Sequence, residues 1–183
     1  MVDVSFVPFF SASAGCGAAL AGLLFLAITV GPVPTVGRNA PVERRTVATS
    51  AFVALINAFL LSLGALLPGA NFGVIAIPVA IGSLLATLRI GAELAANQHG
   101  IRNIARREVL VAVSLFLYGF ELWQAFQVLG QPQQSASGVA SIASLLLPVY
   151  AIGLLRAWEL LGAERHGLLG RFSPLRDLDP ARD

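Results

Sequence analysis

One carboxylate in this chain stands where carboxylates are rare. Glu121 sits inside "SLFLYGFELWQAF", residues 114–126, with apolar and aromatic side chains on both sides of it. Ser114, Tyr118, Glu121, Gln124 and Gln127 follow one another at helical spacing. They form a polar stripe that lipid cannot satisfy, so it must face protein or water. Asn57, within "FVALINAFLL", is a second polar group at depth. Such an acid is ionised only if water, a bound cation or hydrogen-bond donors support its charge; otherwise the neutral, protonated form is the cheaper one. Two readings follow. In one, Glu121 is bonded to Asn57, Tyr118 or a serine of the last span and locks helices together. In the other, Glu121, Asn57, Tyr118 and Gln124 lie along a route for protons or monovalent cations, since intramembrane acids often mark such routes.

Most other chemistries lack their residues. All twelve basic side chains are arginines. Without lysine there is no Schiff base. His99 and His166 lie in predicted loops, so neither haem ligation within a bundle nor a Ser–His pair at depth is available. Cys16 is the only cysteine, which removes thiol redox pairs and internal disulfides. No HExxH zinc site and no phosphate-cradling Gly-rich loop is present. No span carries the repeated arginines of a voltage sensor. The expectation is a protein that is not an enzyme, with no cofactor, no metal and no nucleic-acid partner.

The elements that position Glu121 follow from composition. The chain has 183 residues, 56% hydrophobic and 12% charged, against roughly 25% charged in soluble domains. Too few polar groups remain to cover a water-facing surface. A spanning helix needs about 20 apolar residues, and five segments supply them, at about 10–30, 47–67, 72–93, 108–130 and 138–161. No run alternates as a barrel strand would. The fold class expected is therefore all-α: a single polytopic integral membrane bundle of five transmembrane helices, with a short tail over 163–183. "MVDVSFVPFF" has no basic leader, so no cleaved signal is expected, and Cys16 reads as a small buried residue of the first span.

Arginine placement orients the bundle. Arg38, Arg44 and Arg45, then Arg102, Arg106 and Arg107, then Arg165, Arg171, Arg176 and Arg182 all fall on one side of five spans. The positive-inside rule makes that side cytoplasmic and the N-terminus external, in a multi-pass protein of the cell membrane. Arg89 and Arg156 lie near the cytoplasmic ends of their spans. There their stems can snorkel and pair with Glu93 and Glu159, beside Trp158 in an aromatic belt. "GIRNIARREVL" reads as an interfacial turn and the tail as frayed.

Helix packing in lipid relies on small residues. Ser11, Gly15, Ala18 and Gly22 share one face of the first span, and Ser50, Ala54, Asn57 and Gly64 one face of the second. Packing within the chain is the expectation for the first face, a neighbouring copy the alternative. Pro78 with Gly82, and Pro148, predict loosening of the third and fifth spans, and Ser137, Ser141 and Ser144 give the fifth a mildly polar face. Two functions remain open. One is a small oligomeric channel or carrier for protons or monovalent cations. The other is an accessory subunit that stabilises or regulates a membrane-protein partner.

Overall fold

In a computed structural model, the structure describes residues 4–30, 42–96, 101–130 and 135–160. The described residues are helical apart from one short turn. A 3-10 turn, Val4–Phe6, leads into α1 (Val7–Val30); α2 (Val42–Leu66), α3 (Phe72–Ala96), α4 (Ile101–Gly130) and α5 (Ser135–Leu160) follow. Each of the five is long and apolar enough to cross a membrane. Residues 31–41, with Arg38, and the 163–183 tail lie outside the described residues, whereas Arg44 and Arg45 belong to the first turn of α2.

α2 is the hub. It packs against α1, α3 and α5, and α4 closes a four-helix ring by packing against α3 and α5. Accordingly 56% of the α2 span is buried, the largest share of any helix. The shared core is built from small and branched residues: Ala54, Ala58 and Leu61 of α2, Ala76 of α3, Ala125 and Val128 of α4, Ile142 and Leu146 of α5. The outside is apolar too. Leu23, Phe25, Phe116, Trp123, Leu147 and Trp158 are each more than half exposed, a surface that suits hydrocarbon and not water.

Local chemistry fixes the elements. Gly69 takes a φ of +72° in the tight turn between α2 and α3, where a side chain would be strained. Asn71 then caps α3, its Oδ1 accepting from the Gly73 amide at 3.0 Å. Gly73 also lets α3 meet α4 backbone to backbone, because a Cβ there would lie 2.8 Å from the Ala125 carbonyl oxygen. α3 and α5 run unbroken through Pro78 and Pro148.

Several expectations change. Ser11, Gly15, Ala18 and Gly22 are exposed, and a Cβ on Gly15 or Gly22 would meet nothing within 4 Å. The packed face of α1 is instead Phe10, Ser13, Ala14, Gly17, Ala21 and Leu24. Gly17 decides it: a Cβ there would lie 2.8 Å from the Tyr150 hydroxyl and 3.0 Å from Phe59 Cβ. Cys16, read as buried, is exposed. The backbone of "IRNIARR" is the start of α4, not a separate turn.

Candidate functional site

Glu121 is placed by the α4 stripe. Ser114, Tyr118, Glu121, Ala125 and Val128 are the buried residues among the described side chains of that helix. Gln124 is half-buried, and Gln127 has wound round to an exposed position. The polar stripe thus turns inward for its first three members and outward afterwards, as a 3.6-residue period requires. Glu121 itself is 1% exposed, in the centre of the α2–α5 ring.

Its partner comes from across the ring. Asn57 of α2, also 1% exposed, places Nδ2 at 3.1 Å from both Oε1 and Oε2 of Glu121. The same amide nitrogen donates to Ser83 Oγ of α3 at 3.0 Å, and Ser83 donates in turn to the Val79 carbonyl at 3.0 Å. An amide has two N–H groups, so one serves Ser83 and the other is shared between the carboxylate oxygens. That leaves Asn57 Oδ1 buried with no partner. One shared N–H is slight compensation for a charge in a bundle core.

The surroundings are lopsided. Towards the end where α2 and α4 begin, buried polar side chains succeed one another: Tyr118 and Ser114 on α4, Thr87 on α3, Thr46 on α2 and Arg156 on α5. Thr87 and Ser114 each return their hydroxyl hydrogen to their own helix, at 2.8 Å to the carbonyls of Ser83 and Leu110. Towards the other end the core is an apolar plug of Leu61, Phe72, Val128, Val139 and Ile142 with Phe10 of α1. Among the described residues no three His, Cys, Asp or Glu side chains gather as a metal site would require.

The remaining residues singled out in the sequence lie apart from this acid. Arg156 donates to Glu159 Oε2 at 3.1 Å, but its side chain is 4% exposed and its Nε has no partner. It is a buried residue and not a snorkelling anchor. Glu93 receives Arg45 of α2 at 3.0 Å, a bridge between helices that the sequence did not suggest. Arg89 is exposed, and Trp158 is 62% exposed on the outer surface of α5. A second polar knot was not anticipated. Ser13 donates to Ser62 at 2.7 Å, while Ser62 donates to the Ala58 carbonyl and Tyr150 to the Ser13 carbonyl. It pins α1 to α2 and α5.

Ser83 was the missed member of the Glu121 site. Its signal in the sequence was Ser83 and Thr87 one turn apart inside an apolar span. No family model, no curated protein and no solved structure matches the chain, so the reading of the site rests on its own geometry.

Proposed function

We propose that this protein is a carrier for protons or monovalent cations in which Glu121 is the exchangeable site, reached from the cytoplasmic side. The observation that carries the reading is the position of the acid. Within the α2–α5 ring it lies between a polar end and an apolar plug, the Ser13–Ser62–Tyr150 knot being on the α1 side of α2, and it is held by a single amide. The arrangement supports a route through one protomer, so no ring of several chains is needed. The amide suits exchange. Nδ2 donates to an ionised carboxylate; after a half-turn of the amide, Oδ1 accepts from a protonated one. The half-turn also brings Oδ1 to Ser83, whose hydroxyl hydrogen must leave the Val79 carbonyl to meet it, and no helix has to move. The plug of Leu61, Phe72 and Val128 would have to part for release to the other side.

Flux into proteoliposomes tests this, with wild type and Glu121→Gln at matched incorporation, under proton and then potassium and sodium gradients. Flux above empty vesicles that the substitution abolishes is the expected result. Absence of flux from a folded sample overturns it and favours the accessory reading. That second reading has its own observation: the small-residue face of α1 is left uncovered by the chain's own helices.

A further inference from the structure

Three oxygens from two helices close on one point inside the ring. Oε1 and Oε2 of Glu121 on α4 each lie 3.1 Å from it, and Ser83 Oγ on α3 lies 3.0 Å from it. Left open, such a set would attract a monovalent cation, which must exchange its hydration shell for a cage of protein oxygens. The point is occupied by the protein itself: it is Asn57 Nδ2 of α2. The amide nitrogen stands where the ion would stand, and its hydrogens already present these oxygens with partial positive charge.

Glu121 and Asn57 are each 1% exposed, so packed helices enclose the pair. For a metal ion to take the point, the amide has to withdraw and give up its bonds to Glu121 and Ser83 together. Three oxygens are a thin replacement for a hydration shell, and an ion desolvated without full compensation is costly to bury. A proton asks for none of this. It becomes the O–H of one carboxyl oxygen and needs a single acceptor, which the amide supplies without leaving its place. The surroundings bring no further anion to hold a cation. Among the described residues, the other buried ionisable side chains of the ring are Tyr118, one turn before Glu121 on α4, and Arg156 of α5, which is engaged with Glu159. α2 and α3 bring the uncharged Asn57, Ser83 and Thr87.

We propose that the site at Glu121 takes a proton and excludes sodium and potassium, with Asn57 Nδ2 as the excluding group. The inference rests on the reading of Glu121 as the exchangeable site of a carrier and names what is exchanged there.

Infrared difference spectroscopy on the full chain in proteoliposomes tests this without flux. Wild type minus Glu121→Gln isolates the carbonyl stretch of protonated Glu121, and its pH midpoint is read in sodium, potassium and choline chloride at equal ionic strength. The same midpoint is expected in all three. A cation competing for the carboxylate would displace it by up to about one pH unit for each tenfold rise in concentration. Such a displacement by sodium or potassium overturns the proposal and leaves the carrier reading in place for that cation. A band that never titrates in folded protein overturns the proposal too. Asn57→Ala, which removes the nitrogen from among the oxygens, should acquire a sodium-dependent midpoint. A folded Asn57→Ala protein as indifferent to sodium as wild type would show that the amide does not set the selectivity, and the proposal falls. A cation-independent midpoint in protein that passes no flux upholds the proton site and removes the carrier reading alone.

Discussion

The Asn57 amide reaches Glu121 from the opposite side of the four-helix ring, 3.1 Å from each carboxylate oxygen. It therefore ties the diagonal pair α2 and α4, which otherwise communicate through α3 and α5. A bond in that position couples the two halves of the bundle as well as satisfying an acid.

Asn57→Leu should cost about 1–2 kcal/mol in a denaturant titration of the micelle- or bicelle-embedded protein, because it strands Glu121 without a donor. Adding Glu121→Leu should recover part of that loss, since two apolar groups of similar size leave nothing unsatisfied. Strict additivity of the two substitutions would show that the bond contributes nothing as a pair.

Two classes of glycine should separate cleanly. Gly73→Ala drives a Cβ towards the Ala125 carbonyl and the Leu129 amide, at 2.8 and 2.9 Å, and backbone cannot step aside. About 1–3 kcal/mol of destabilisation is expected, read as a lower melting temperature. Gly15→Ala and Gly22→Ala meet open space and should be neutral or slightly stabilising in the monomer. A large loss at Gly15 would instead mean that another chain covers that face.

These contrasts show what the sequence carried. Hydropathy located all five helices, because a span is a one-dimensional property. The acid and its amide stood out because hydrocarbon tolerates so few such groups. The facing of α1 was not legible: Ser11, Gly15, Ala18 and Gly22 make as good a small stripe as Ser13, Ala14, Gly17 and Ala21. Only Phe59 and Tyr150, which meet Gly17, choose between them. Ser83 escaped for a related reason: a serine that can return its hydrogen to its own helix gives no sign of also accepting from Asn57.

Two ion pairs among the described residues should differ in strength. Arg45 and Glu93 are 39% and 47% exposed, so Arg45→Ala should change stability by no more than about 1 kcal/mol. Arg156 and Glu159 are 4% and 17% exposed. Glu159→Ala leaves a buried guanidinium without its anion and should cost up to about 3 kcal/mol. Thermal unfolding of both variants in one detergent gives the comparison directly. Equal, small losses would mean that water reaches Arg156.

Orientation decides from which side the proposed carrier would load Glu121, and the lone thiol makes it measurable. Cys16 is exposed and must first be replaced by Ser. In that background, Ala70→Cys in the α2–α3 turn should react with a membrane-impermeant maleimide added to intact cells. Ala96→Cys at the end of α3 should react only after permeabilisation. That outcome places the starts of α2 and α4, and with them the polar run of Thr46, Ser114 and Tyr118, on the cytoplasmic side. The apolar plug of Leu61, Phe72 and Val139 then faces outward. The reverse pattern would break the arginine rule for this chain and turn the loading side of the proposed carrier from the cytoplasm to the exterior.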